Sequence, residues 1–237
     1  MNTQREQLIQ TWLQATLQSD QFEINYLAGD ASFRRYARIK LQNKTYMLMD
    51  APPEKEDCAP FVSIDEFFDK NCVRVPHIVA KDLNLGLLLL EDFGDVVLST
   101  LLTDETVDQY YAQSFEQLIE LQKIDGLEQL PAYSYEKLMT EMRLLTEWML
   151  PSLDIQPTEQ QLETIEQAFD FLAVEATHQP QVIVHRDFHS RNLMKIENEQ
   201  ALGVIDFQDA VIGADTYDLI SITRDAYVQW NAERVYE

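Results

Sequence analysis

The stretch that most constrains this chain is "VIVHRDFHSRNLM", residues 182–194. A short apolar run opens at once onto His185, Arg186, Asp187, His189, Arg191 and Asn192, and apolar character resumes at Leu193. The apolar runs on either side read as buried strands. A loop so dense in charge and hydrogen-bonding groups, set on buried strands, is a working site or an over-decorated turn.

The spacing favours a working site. HRDxxxxN serves phosphoryl transfer, in which a protein mainly orients the attacking hydroxyl, holds a metal ion against the phosphates and neutralises charge. Here Asp187 is the candidate catalytic carboxylate, placed to orient the acceptor hydroxyl and accept its proton. Asn192, five residues on, is a candidate Mg²⁺ ligand through its amide oxygen. A second metal carboxylate is expected at the end of a neighbouring strand, and Asp206 follows the apolar "LGVI". Between them, "LMKIENEQALGVI" has the pattern of a hairpin, which would return the chain towards Asn192. His189 and Arg191 are candidates for the substrate side of the loop.

Other chemistries lack their residues. The four histidines have no HExxH or Cys/His array around them, and no GxSxG elbow is present. The two cysteines, Cys58 and Cys72, make no CxxC pair and no disulfide framework. The formal charge of −23 makes nucleic acid and anionic membrane poor partners. The N-terminus lacks the basic and apolar segments of a signal peptide, and no apolar run approaches a membrane span. The expectation is a soluble, cytoplasmic protein with no obligate protein partner.

Element order predicts an α+β chain of two lobes. Leu8, Ile9, Trp12, Leu13 and Leu17 share one helical face. "FEINYLAGDASFRRYARIKLQNKTYMLMDAP" reads as three short strands, with a hairpin turn at "QNK". "APFVSIDEFFDKN" reads as an amphipathic helix turning Phe61, Ile64, Phe67 and Phe68 inward. Two more strands flank the turn "LNLG". After "EDFGD" the pattern is helical over 97–177, with a break at 154–158. Short strands return over 182–206, and "TYDLISITRDAYVQWNAERVYE" looks helical throughout. The predicted domains are an N-terminal antiparallel, β-rich nucleotide-binding lobe over 1–93 and a mainly helical lobe over 94–237 that carries the catalytic loop and metal site.

"HRDFHSRNLM", "GVIDFQDA", "TYDLIS" and "LLLEDFGD" resemble the aminoglycoside phosphotransferase family, relatives of protein kinases. "LAGDASFRRYARI" followed by "MLMDAPPEKED" is similar to that family's bacterial branch acting on the anomeric hydroxyl of amino sugars in cell-wall recycling. The resemblance runs from about residue 21 to 230. It implies a two-lobed protein-kinase-like fold, ATP and Mg²⁺ as cofactors, and a small amino-sugar acceptor. Carried onto this chain, it implies Asp187 as catalytic carboxylate, with Asn192 and Asp206 as metal ligands. It also implies adenine contacts at Glu91 and Phe93, with Leu90 behind them, and a phosphate-covering turn of Gly29, Asp30, Ala31 and Ser32. Asp218 would brace the catalytic loop or simply be a carboxylate at a helix N-terminus. An aminoglycoside or other small-molecule acceptor, or a nucleotide-binding pseudokinase, are the alternative readings.

Two departures stand out. The turn "AGDAS" has one glycine, and "KTYMLMD" carries Met49 and Asp50 where a strand lysine is expected. The replacement cation would be Arg34, Arg35 or Arg38. Strand alternation sets Arg35 on the face opposite the other two, and Arg35 is the favoured candidate. Glu66 could pair with such an arginine. The resemblance also implies that the chain stops short of the family's usual C-terminal end.

Overall fold

The computed structural model describes residues 3–28, 33–231 and 233–234. Gly29, Asp30, Ala31 and Ser32, the expected phosphate-covering turn, lie outside the described residues. The chain divides into two compact units, Met1–Thr100 with Leu193–Gln208, and Leu101–Asn192 with Asp209–Glu237. The hairpin after residues 185–192 therefore groups with the first unit by packing, whereas the 93/94 boundary follows a change in element character.

The first unit begins with α1 (Thr3–Leu17), β1 (Glu23–Tyr26), β2 (Arg35–Leu41) and β3 (Lys44–Asp50). It continues with α2 (Ala59–Lys70), β4 (Ile78–Asp82) and β5 (Leu87–Glu91). The five strands form one antiparallel sheet in the order β1-β2-β3-β5-β4. Leu41 pairs with Lys44, so the predicted "QNK" turn closes β2 onto β3 through a two-residue loop.

Period-two alternation gives this sheet two faces. Ala37, Ile39, Leu48, Leu87 and Leu89 are buried against Ile9 and Leu13 of α1, with Leu8, Trp12 and Leu17 at the margin. Tyr36 and Met49, neighbours across β2 and β3, belong to the opposite face. The chain turns between β4 and β5 at Gly86, whose φ of +64° suits glycine. A Cβ there would lie 1.9 Å from the carbonyl oxygen of Ala51, so the close approach also requires glycine.

α2 buries Phe61, Ile64, Phe67 and Phe68 as its periodicity predicts, together with Val62 and Asp65. Phe61 and Phe68 pack on Phe207, with ring centroids 4.9 and 5.8 Å away. Phe207 is fully buried, and truncating such a ring costs about 3–5 kcal/mol. This aromatic group anchors the segment that carries Asp206.

The second unit contains α3 (Val107–Gln122), α4 (Tyr135–Leu144), a π turn (Leu145–Met149), the one-turn α5 (Leu150–Ser152) and α6 (Glu159–His178). The sequence pattern predicted one unbroken helix across 134–150. The π turn interrupts it just before Pro151, whose ring crowds the preceding turn and which has no N–H to donate. α6 starts at the predicted break, where Thr158 and Gln161 form a capping box. α4 and α6 pack through Met139, Phe169 and Ala173.

Next in the chain comes β6 (Gln181–Val184), then the first unit's β7 (Leu193–Lys195) and β8 (Leu202–Val204), then β9 (Val211–Ala214) and α7 (Tyr217–Thr223). β6 pairs antiparallel with β9, and β7 with β8. Of the run predicted helical from Thr216, α7 covers only Tyr217–Thr223, and residues 232 and 235–237 lie outside the described residues. Asp225 ends α7 by turning its carboxylate onto the backbone N–H groups of Ser190 and Tyr227, at 2.8 and 2.7 Å. Short polar side chains that hydrogen-bond nearby backbone compete with helix continuation.

Candidate active site

The candidate loop starts where β6 ends. Val184 is fully buried beside Val211 and Tyr133, and His185 is fully buried too. At Arg186 the backbone turns left-handed, with φ +78°. A non-glycine residue pays strain in that region unless its surroundings hold it there. Both oxygens of Asp218 supply that hold: Oδ2 accepts the His185 N–H at 2.6 Å and Oδ1 the Arg186 N–H at 3.1 Å. Of the two roles open to Asp218 from the sequence, this geometry is the brace.

Arg186 is gripped by its side chain as well. Its Nη2 donates to Glu141 Oε1 at 2.7 Å, and its guanidinium lies 5.5 Å from the Tyr133 ring centre. Tyr133 Oη donates to Glu141 Oε2, and burial with these neighbours pushes the phenol far above its usual range. Glu141 carried no signal in the sequence. It stands on α4, 45 positions before its partner, in a helical pattern that reads as surface.

Beyond Arg186 the loop closes on itself. His189 N–H donates to the Asp187 carbonyl at 2.9 Å, and Asn192 N–H to the His189 carbonyl at 2.9 Å. Asn192 Nδ2 donates to the Asp187 carbonyl at 3.0 Å. The structure thus brings Asp187 and Asn192 into one compact turn, with the Asp187 side chain exposed. Ser190 is fully buried, and its N–H is held by Asp225.

Asp206 belongs to the first unit, two residues after β8. Its backbone is also left-handed, at φ +64°, and Gln208 Nε2 donates to its Oδ1 at 2.9 Å. Its charge helps to raise the Tyr36 phenol, although burial is the larger cause. Tyr36 lies on the sheet face opposite α1, so that face is the one that senses Asp206. Among the described residues, no three His, Cys, Asp or Glu side chains gather as a metal site.

Arg35 is on the other face. It pairs in register with Asp50 and points to the α1 side, where its Nε lies 3.0 Å from Asp50 Oδ2. Arg5 of α1 donates to Asp50 Oδ1 at 2.9 and 2.6 Å. Asp50 is fully buried between the two guanidinium groups. The carboxylate standing where the strand lysine was expected is therefore a tie between α1 and the sheet, and Arg35 is part of that tie. Arg34 pairs instead with Glu56 at 2.5 Å and hydrogen-bonds to Tyr36. Arg38 holds Asp92 and Asp95, and Glu66 pairs with Lys81 rather than with an arginine.

The expected adenine-contact residues sit at the end of β5. Leu90 is buried, paired with Met47 and Ile78. The Glu91 carboxylate binds Arg74, which lowers its pKa. Arg74 also reaches Glu199 and stacks 4.6 Å from the Phe93 ring centre. Phe93 packs on Met194 and Ile196. Gly203 makes room for it, since a Cβ there would lie 2.4 Å from the Phe93 ring.

A match to the phosphotransferase enzyme family covers residues 23–237. The chain is 35% identical over 240 residues to the N-acetylmuramate/N-acetylglucosamine kinase of Neisseria meningitidis serogroup B, across 99% of this chain and 71% of that protein. It is 39% identical over 210 residues to the protein of the same name from Pseudomonas aeruginosa, across 88% of this chain and 62% of that one. The chain thus spans about 62–71% of the length of these relatives. An ADP-bound aminoglycoside phosphotransferase shares the fold with a TM-score of 0.67 at 15% identity, over 99% of this chain and 80% of that one.

Proposed function

The chain belongs to the phosphotransferase enzyme family, and on that premise we propose that it serves an ATP- and Mg²⁺-dependent kinase that phosphorylates the anomeric hydroxyl of N-acetylmuramate or N-acetylglucosamine, as part of peptidoglycan recycling in the cytoplasm. The observation that carries this reading is the loop of residues 185–192. Its strained Arg186 is over-determined by Asp218 and Glu141, and its closure places Asn192 on the carbonyl of Asp187. Structure of this kind clusters at sites that must be pre-organised. The names of the two relatives supply the acceptor class.

In this reading Asp187 orients the anomeric hydroxyl and accepts its proton. The new oxygen–phosphorus bond forms as the γ-phosphoryl leaves the β-phosphate oxygen. Asn192 and Asp206 are the proposed Mg²⁺ ligands. One carboxylate and one amide oxygen fit this ion, which keeps several waters and takes its other ligands from nucleotide phosphates. When bound, it neutralises charge on those phosphates. Asn192 spends its amide nitrogen on the Asp187 carbonyl, which suits Oδ1 to a hard cation. The β7–β8 register, with Leu193 opposite Val204, supports the choice of this ligand pair.

Glu91 and Phe93, backed by Leu90, are the proposed adenine contacts, and Gly29, Asp30, Ala31 and Ser32 the proposed phosphate-covering turn. The cation replacing the strand lysine is sought on the Tyr36 face. Arg34, which hydrogen-bonds to Tyr36, fits it better than Arg35 does.

No helix among the described residues is long and apolar enough to cross a membrane. Cys58 and Cys72 are both free thiols, as suits a reducing compartment.

The test is a panel of acceptors with Mg-ATP, comprising both N-acetylated sugars, glucosamine and an aminoglycoside, followed by phosphorus NMR of the product. An acid-labile sugar 1-phosphate from an N-acetylated sugar is the expected result. Transfer only to the aminoglycoside, or nucleotide binding without transfer to any acceptor, would overturn the proposal.

A further inference from the structure

The protein carries 41 acidic and 18 basic Lys and Arg residues, and its arginines are largely spoken for. Arg5, Arg34, Arg35, Arg38, Arg74, Arg143, Arg186 and Arg234 each meet a carboxylate. Arg191 does not: among the described residues, no carboxylate lies within ion-pair distance of its guanidinium. Instead the guanidinium lies over an aromatic ring, 3.9 Å from the centre of Tyr227.

That ring has a second neighbour and its backbone is tethered. His189 meets it edge-on, with centroids 5.0 Å apart and planes at 71°. The Tyr227 N–H is held by Asp225 Oδ1 at 2.7 Å, and the other oxygen of the same carboxylate holds the Ser190 N–H at 2.8 Å. Asp225 is nearly buried. One carboxylate thus ties the segment after α7 to the catalytic loop and aligns Tyr227 beneath Arg191. The arginine side chain is exposed yet oriented, so little rotamer freedom remains to be lost on binding. Its planar fork of donors matches a carboxylate in two-point geometry, and stacking leaves that fork open.

Location and charge narrow the ligand. Arg191 is the residue before Asn192, inside the turn that closes on the Asp187 carbonyl. A group bound there belongs to the molecule presented to Asp187. A protein of net charge −23 repels an anionic substrate, so an acidic acceptor needs a local cation to overcome that field. Of the two sugars in the relatives' names, N-acetylmuramate carries a lactyl ether carboxylate, ionised at neutral pH, and N-acetylglucosamine is neutral. We propose that Arg191, stacked on Tyr227, is the specificity-determining residue that binds the carboxylate of an acidic N-acetylated amino sugar. This rests on the reading of the loop as an acceptor site.

The experiment compares wild type, Arg191→Gln and Arg191→Lys with N-acetylmuramate, its methyl ester and N-acetylglucosamine. Steady-state kinetics are paired with calorimetric binding of N-acetylmuramate in the absence of ATP. The expected result is that Arg191→Gln lowers the ratio of kcat/KM for N-acetylmuramate over N-acetylglucosamine by about tenfold or more, through KM. The lysine variant recovers part of that ratio, and in wild type the methyl ester behaves as a neutral sugar. Equal losses on both sugars, confined to kcat, would assign Arg191 to the transferred phosphoryl group and overturn the proposal. An unchanged ratio would overturn it as well. If wild type phosphorylates neither sugar, the kinase reading fails and calorimetry decides this one alone. Binding of N-acetylmuramate that weakens about tenfold or more in Arg191→Gln supports the carboxylate site, and binding that is absent or indifferent to the substitution overturns it.

Discussion

The carboxylate of Asp218 sits 2.6 Å from the backbone nitrogen of His185, with the next amide, that of Arg186, on its other oxygen. Two consecutive donors on one buried carboxylate set the direction in which the chain leaves β6, one residue before Asp187. Asp218→Asn keeps one acceptor oxygen but presents an NH₂ to the other amide. A buried donor left unpaired costs about 1–3 kcal/mol. Asp218→Asn is therefore expected to lower stability by about that amount, and to lower kcat more than its residual folded fraction explains. Urea denaturation beside kcat at a temperature where the variant is folded checks this. A variant as active as wild type per folded molecule would remove the bracing role.

The Arg5–Asp50–Arg35 tie leads to a different expectation for two adjacent arginines. Arg35 shares a fully buried carboxylate with α1, and Arg34 is on the face that senses Asp206. Arg35→Ala is expected to cost stability, about 1 kcal/mol because its own side chain is 41% exposed, while leaving the KM for ATP near the wild-type value. Arg34→Ala is expected to raise that KM, and to cost about 1 kcal/mol of stability through its lost pair with Glu56. Measuring both quantities for both variants separates the roles, and the opposite assignment would restore Arg35 as the nucleotide residue.

Asp65 makes stability depend on pH. It is 2% exposed on α2, its Oδ2 has no hydrogen-bond partner among the described residues, and Asp69 and Glu66 add negative charge beside it. Lys81 acts on it in the opposite sense. Burial, with those neighbours, pushes its pKa from 3.8 up to about 7. The folded chain therefore holds a proton that the unfolded chain has released, so stability falls as pH rises from about 4 to about 7. Asp218, raised by burial to about 7, contributes in the same direction. Asp65→Asn is expected to flatten this decline and to raise the melting temperature at pH 8 relative to wild type. Melting curves at pH 5 and pH 8 check it. A variant with the wild-type pH slope would show that Asp65 is not the titrating group.

Much of this architecture was legible in the chain. The α1 face, the two-residue turn between β2 and β3, and the inward phenylalanines of α2 follow from period and turn chemistry alone. So does the hairpin after Asn192, because the polar run of residues 197–200 separates two short apolar stretches. The features that escaped depend on partners far away in sequence. Alternation put Arg35 opposite Arg34 and Arg38, but only the arrival of Arg5, 45 positions before Asp50, reveals which face it occupies. Buried Asp50 reads as a strand-end charge for the same reason. Glu141 and Tyr133 hold Arg186 although α6 and β6 intervene in the chain, and nothing in the helical pattern marks them. α7 ends early because Asp225 prefers two backbone amides of its surroundings to another helical turn.

In the proposed reaction the side chain of Asp187 carries the chemistry, while its backbone carbonyl helps to close the loop. The most direct measurement is the turnover of Mg-ATP with N-acetylmuramate by Asp187→Asn, read beside its thermal midpoint and its affinity for ATP. The expected result is a loss of kcat of about a hundredfold or more, within the range that removal of a proton-accepting group produces, with midpoint and nucleotide affinity close to wild type. Turnover near the wild-type rate by the folded variant would contradict it.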